Sequence, residues 1–161
     1  MCSSDLASAI DFGCGYGDYL TYLRGAGHRG HYTGYDLVPE MIAAARKMHG
    51  TETCDWRVGH AIEEPADFVV ASGIFNVKGD VPHDEWAAYM QRTVDEMAKA
   101  ARKGIGFNVL SSVVAPERRR ADLFFADPAE WLTYTMRRFG RRVCILQDSG
   151  LFEFTLIQFK D

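Results

Sequence analysis

The chain reads as an α/β fold of the doubly wound kind, with a mostly parallel sheet, helices on both faces and a C-terminal antiparallel hairpin. Three observations predict it. Across 161 residues, short apolar runs alternate with helical segments, the order that parallel strands joined by crossovers demand. The run at 67–72, Asp-Phe-Val-Val-Ala-Ser, is almost continuously apolar, as a central strand buried on both faces must be. Residues 9–18, Ala-Ile-Asp-Phe-Gly-Cys-Gly-Tyr-Gly-Asp, place a glycine-rich turn straight after the first strand, and Gly34-Tyr35-Asp36 closes the second strand on an acid.

The elements follow in order. The first strand spans 6–12, and a short helix at 18–26 carries Leu20 and Leu23 on one face, closed by Gly25 and Gly27. The second strand is 32–37. A helix at 39–49 has Pro39 preset for its first turn and Gly50 as its stop. The third strand is 54–58 and the fourth 67–72. Residues 84–103 are the clearest helix, since Trp86, Met90, Val94, Met97 and Ala101 recur at steps of three and four as one apolar stripe. That stripe is core. The fifth strand is 104–110. Asp127-Pro128-Ala129-Glu130 is a capping arrangement with proline at the first helical position. It opens a helix whose Leu132, Met136 and Phe139 are expected to face inward and which Gly140 ends. Residues 142–147 and 152–160 alternate apolar and polar across Asp148-Ser149-Gly150, a terminal hairpin.

Composition bounds the function. The length suits one domain over 1–161, with no repeat and no low-complexity segment. A formal charge of −4 gives no basic field for nucleic acid or an anionic membrane. No apolar run approaches the ~20 residues of a membrane span. Cys2, Cys14, Cys54 and Cys144 are scattered, without metal-ligand spacing, so no metal is expected, and reduced thiols in a cytoplasmic setting are. Residues 1–6 are not a signal peptide. Cys-Ser-Ser-Asp-Leu at 2–6 resembles a translated sequencing adapter fused to a truncated reading frame, so 1–6 are expected to be foreign to the domain.

The charges around the glycines decide which cofactor they fit. A dinucleotide site needs Gly-x-Gly-x-x-Gly, so that a pyrophosphate can approach backbone and helix N-terminus. Here the third glycine, Gly17, comes one residue early, and Asp18 stands where that pattern needs glycine. Asp11 and Asp18 would repel a pyrophosphate. They suit a ligand bearing an ammonium, a sulfonium and a ribose diol. The acid followed by Gly-x-Gly-x-Gly, with Asp36 about 20 residues on, resembles the class I S-adenosylmethionine-dependent methyltransferases, with their Rossmann-like seven-stranded sheet whose last strand inserts antiparallel. The resemblance covers nearly the whole chain. A plain strand-to-helix turn is the simpler reading of 13–17, but such a turn rarely needs three alternating glycines.

The resemblance implies S-adenosylmethionine as cofactor and assigns it a site. Asp11 and the loop of Gly13, Cys14 and Gly15 would hold the methionine end, with Cys14 a small filler rather than a nucleophile. Asp36 would accept both ribose hydroxyls. Leu37 and Met41 would pack on the adenine. Where the family commonly shows Gly-Asp-Ala, this chain has Gly59-His60-Ala61, so His60 either contacts adenine or faces solvent. Ser72 closes the cofactor side. Acceptor candidates begin there, with Gly73 permitting close approach, Phe75 as a wall and Asn76 to orient a polar group or to cap the following loop. Asn108 lies near the same mouth. His83 is either a base or a cap at a helix start. Arg118-Arg119-Arg120 is either an anion grip or a solvated charge run; consecutive residues do not all face one site. The Asn/Asp-Pro-Pro-aromatic signature of nucleobase amino-group methylases is absent, which favours a small-molecule acceptor. The competing readings are a nicotinamide-dependent oxidoreductase, which the glycine spacing opposes, and a non-catalytic or truncated chain of the same fold.

Overall fold

The computed structural model describes residues 6–148 and 150–160. Residues 1–5, to which most of the adapter-like segment belongs, lie outside the described residues. The element order is β1(Ala9–Phe12), α1(Asp18–Gly25), β2(Tyr32–Asp36), α2(Pro39–His49), β3(Cys54–Val58), β4(Ala66–Ala71), α3(His83–Ala100), β5(Ala101–Ser111), β6(Phe125–Ala126), α4(Pro128–Phe139), β7(Val143–Leu146) and β8(Glu153–Phe159). The sheet runs β3-β2-β1-β4-β5-β8-β7, with β6 attached to the end of β5. Strands β1 to β5 are mutually parallel, and β8 enters antiparallel between β5 and β7. The order reverses between β1 and β4, which opens a crevice at their C-terminal ends.

Alternation along the strands divides the core. Leu20 of α1 and Ile42 and Ala45 of α2 bury against Ala9, Tyr32, Cys54 and Trp56 on one face. Ile10, Val69, Phe107 and Leu156 point to the other face, where Met90, Val94 and Met97 of α3 and Trp131 of α4 cover them. Over β4, β5 and β8, no described helix lies on the α1 and α2 side. Val70, Asn108, Thr155 and Ile157 are half-buried there.

Three expectations change. The long helix stops at Ala100, three residues early, and β5 takes over directly as an 11-residue strand. Lys103 and Gly104 extend the ladder, Gly104 lying opposite Phe159, where a Cβ would meet the Gln158 carbonyl oxygen at 2.8 Å. The inward face of α4 is Trp131 and Thr135, not Leu132 and Met136, and Met136 is 39% exposed. Trp131 wins the face through its area, standing edge-on to Phe107 at 5.4 Å. Thr135 tolerates burial because its hydroxyl donates to the Trp131 carbonyl, 2.9 Å. The two-residue β6, in the 111–126 stretch to which the sequence assigns no element, makes the sheet eight-stranded.

Candidate functional site

The glycine loop is built by conformation and by contact. Gly13, Gly15 and Gly17 all have positive φ (87°, 53° and 86°), backbone that side-chain-bearing residues rarely adopt. A Cβ on Gly13 would lie 2.1 Å from Ile74 Cγ2, and one on Gly17 would lie 2.4 Å from the Trp56 ring. The loop is tied back to β2 by Gly13 N–H and Cys14 N–H, which both donate to the Tyr35 carbonyl at 2.7 and 2.9 Å. His49 stacks on Trp56 and its Nε2 lies 3.0 Å from the Tyr16 carbonyl oxygen, bracing the far side.

Asp36 ends β2 beside this loop. Its Oδ2 accepts Gly15 N–H at 2.9 Å, and its Oδ1 accepts Val38 N–H at 2.9 Å at the start of α2. Each oxygen keeps further acceptor capacity, so the carboxylate is fixed yet able to receive a pair of hydroxyls. Asp11 lies beneath, only 3% exposed, and its Oδ2 takes the Tyr32 hydroxyl at 2.6 Å. Burial pushes its pKa up to about 6, the Tyr32 hydrogen bond opposes this and the Asp36 charge adds to it. Asp11 and Asp36 thus bring two carboxylates to the loop with no described cation beside them. Burial, then the same two acids, push the Cys14 thiol up to about 12; it is an unreactive filler.

Leu37, His60, Ala61 and Ile74 line a cavity of about 570 Å³ that continues between Phe12 and Trp86. Leu37 is 66% exposed, so a planar ring laid on it would be covered by little else of β2. Met41 is half-buried and does not line this cavity. The 59–65 connection that carries His60 and Ala61 has no helix. Arg57 anchors it, reaching Glu64 at 2.9 Å and Glu63 at 3.3 Å beside the Tyr35 ring. Phe12, Ile62 and Trp86, which also line the cavity, are not read as site residues from the sequence. Trp86 carried a signal, since an indole on a core stripe needs a partner for its N–H, which donates to the Phe75 carbonyl at 2.9 Å.

The segment after β4 is arranged differently from expectation in one respect. Phe75 is fully buried, edge-on to Phe107 and Tyr89, and offers no face to an acceptor. Its ring fills the α3 side of the core while its neighbours Ser72 and Gly73 stay exposed. Asn76 accepts Leu110 N–H at 3.1 Å through Oδ1, and its carbonyl accepts Phe124 N–H, so it fastens this segment to β5 and to the residue before β6. Asn108 Oδ1 accepts Gly73 N–H at 2.7 Å. His83 stacks on Phe124 at 4.8 Å and lines a separate cavity of about 540 Å³ between α3 and α4. The arginine triplet splits three ways. Arg118 lies over the Phe152 ring, Arg119 donates to the Ser112 carbonyl, and Arg120 pairs with Asp122. No group of three side chains able to hold a metal occurs among the described residues.

Fold order, glycine loop and paired acids together are those of an α/β protein with a crevice at the C-terminal ends of β1 and β4. Comparison with known proteins makes the class specific. A family model described as "Methyltransferase domain" matches residues 10–107. A Mycobacterium tuberculosis protein named "Putative methyltransferase Rv1506c" is 40% identical over 156 residues, covering 96% of this chain and 94% of its own. Among solved structures, the magnesium protoporphyrin IX methyltransferase (ChlM) of Synechocystis PCC 6803 with bound SAH superposes with a TM-score of 0.73 at 13% identity, over 97% of this chain and 75% of that one. An S-adenosylmethionine dependent methyltransferase from Mesorhizobium loti gives 0.64 at 14% identity, over 99% and 94%. The chain belongs to the methyltransferase family, and its fold is that of structures solved with bound S-adenosylmethionine or S-adenosylhomocysteine.

Proposed function

We propose that this methyltransferase acts on a small-molecule acceptor, with the cofactor held across the C-terminal ends of β1 and β2. Asp36 receives the ribose diol, and Asp11 with the backbone of Gly13, Cys14 and Gly15 holds the cationic methionine end. Leu37, His60 and Ala61 flank the adenine, and Ser72 with Gly73 forms the boundary to the acceptor. The observation that carries this reading is Asp36, whose two oxygens are each fixed by one backbone N–H, at the glycine loop and at α2. That geometry presets an acceptor pair for two vicinal hydroxyls before any ligand arrives.

Methyl transfer needs little from the protein beyond orientation. The acceptor's lone pair attacks the methyl carbon in line with the carbon–sulfur bond, whose electrons pass to sulfur. The free thiols of Cys14, Cys54 and Cys144 support a cytoplasmic setting. Among the described residues, no helix is long and apolar enough to cross a membrane.

Calorimetric titration with S-adenosylhomocysteine, with NAD as control, tests the cofactor assignment. Micromolar binding of the first and none of the second is expected, with Asp36→Ala weakening it by about 100-fold or more, the scale of two lost charge-assisted hydrogen bonds. Unchanged affinity in Asp36→Ala would overturn the role of this residue.

A further inference from the structure

The half of the sheet that no described helix covers carries three polar side chains that the cofactor assignment leaves unused, Asn108, Thr155 and Glu153. Their neighbours Phe107, Val109 and Phe154 point to the α3 and α4 face and are buried. Strand alternation therefore turns Asn108 and Glu153 to the opposite face. Asn108 pairs across the ladder with Thr155, and Leu110 with Glu153, so Asn108 and Glu153 are diagonal neighbours on one surface. That surface meets the crevice. Asn108 holds Gly73 at the end of β4, and the next residue, Ile74, packs against Gly13 of the cofactor loop.

The hydrogen bonding of Asn108 fixes which end of its amide is on offer. Gly73 N–H is only a donor, so the branch it meets at 2.7 Å is Oδ1 and the other is Nδ2. That NH2 has no hydrogen-bond partner among the described residues and is not shut away from space. The Glu153 carboxylate is half-buried and likewise has no described ion pair or hydrogen bond. The surface thus presents one fixed donor beside one acceptor that is also a base.

Resting on the methyltransferase reading above, we infer that Asn108 and Glu153 are the acceptor-binding pair, and that the acceptor presents a hydroxyl methylated on oxygen. Counting lone pairs selects this class. A hydroxyl oxygen has two: one receives the Asn108 N–H, the other attacks the methyl carbon, and its O–H donates to Glu153. A neutral amine has a single lone pair and cannot both receive Asn108 and attack. A carboxylate has no proton for Glu153 and is repelled by it. In the step, the carbon–oxygen bond forms as the carbon–sulfur bond breaks, and its electron pair goes to the sulfonium sulfur, leaving a neutral thioether. The hydroxyl proton passes to the Glu153 carboxylate and from there to water.

Fragment binding to the intact chain saturated with S-adenosylhomocysteine tests this without knowledge of the natural acceptor. Phenol, benzylamine and benzoate are titrated by calorimetry or ligand-observed magnetic resonance into the parent, Asn108→Asp and Glu153→Gln. Asn108→Asp keeps the oxygen that Gly73 needs, so the segment after β4 stays in place. Phenol is expected to bind the parent and to weaken by about 5-fold or more in each variant, the scale of one hydrogen bond to a charged or fixed partner. Benzylamine is expected to bind Asn108→Asp no more weakly than the parent, and benzoate to bind the parent worst. Phenol binding that ignores both variants, preferential binding of benzoate, or no phenol binding would each overturn the pair. Saturation with S-adenosylhomocysteine is measured first in every sample, so its failure counts against the cofactor reading and not against the pair.

Discussion

At the scale of single residues, the site trades stability for charge. Asp11 sits in the interior with one hydroxyl partner and a second acid nearby, and it holds its proton up to a pH of about 6 against 3.8 when exposed. Between those values the folded chain binds a proton that the unfolded chain has released, so stability falls as pH rises from about 4 to about 6 and is level above. The cost at neutral pH is on the order of 2–3 kcal/mol, since each tenfold change in proton affinity is worth about 1.4 kcal/mol. Asp11→Asn keeps an oxygen for the Tyr32 hydroxyl and removes the charge. In urea titrations it is expected to be more stable than the parent by roughly that amount at pH 7, with the slope between pH 4 and 6 gone. On the proposed placement of Asp11 at the cationic end, affinity for S-adenosylmethionine falls as well; identical pH profiles of stability in the parent and Asp11→Asn would refute the raised pKa of the buried acid. Gly17 has the opposite character. Its positive φ and the 2.4 Å approach to Trp56 leave no place for a methyl group, so Gly17→Ala is expected to cost about 2 kcal/mol or more, read from the urea midpoint.

At the scale of elements, what the sequence made legible was what local chemistry decides. Pro39 and Gly50 bound α2 at the expected residues, and 54–58 formed β3, because a fixed φ and a positive-φ stop need no tertiary help. Asp127 is the same kind of signal. It accepts Ala129 N–H at 2.7 Å and Glu130 N–H at 3.4 Å, so Asp127→Ala is expected to lower stability by about 1 kcal/mol by thermal melting while leaving S-adenosylhomocysteine affinity unchanged. What the sequence hid was decided across the sheet. The end of α3 follows from pairing of Ala101 to Gly104 with β4 and β8, partners that local periodicity does not see. Phe75 is expected from the sequence to wall the acceptor because it follows the fourth strand, yet Phe107 and Tyr89 claim its ring. The turn at the glycines and its tie to Asp36 form as the spacing predicts, because one turn and one strand set them: Gly13, Gly15 and Gly17 all have positive φ, and Asp36 accepts Gly15 N–H. Asn108 stood out only as a polar residue in a strand. Glu153, its inferred partner, lies 45 positions on in the chain and is brought diagonal to it only by the pairing of β8 with β5.

At the scale of the whole molecule, the two core clusters lie on opposite faces of one sheet and share its strands, since neighbouring residues of β1 serve both: Ala9 one face and Ile10 the other. Strain or ligand energy at the β1 loop is therefore carried by the entire sheet rather than by a separable lobe. Unfolding is expected as one cooperative transition, coincident by circular dichroism and by tryptophan fluorescence, with Trp56 reporting the α1 and α2 face and Trp131 the α4 face. A ligand bound at the crevice must then raise the melting temperature of both reporters equally. At a concentration about 100 times its dissociation constant, S-adenosylhomocysteine adds about 2.7 kcal/mol. For a chain of this length each kcal/mol moves the midpoint by roughly 2–4 °C, so a shift of about 5–10 °C is expected by either probe. NAD at the same concentration should leave both midpoints in place, and S-adenosylhomocysteine should move those of Asp36→Ala, whose own single transition shows that it folds, by no more than about 2 °C. A shift confined to one reporter would mean that the two faces melt separately and that the crevice draws its rigidity from the β1–β3 half alone.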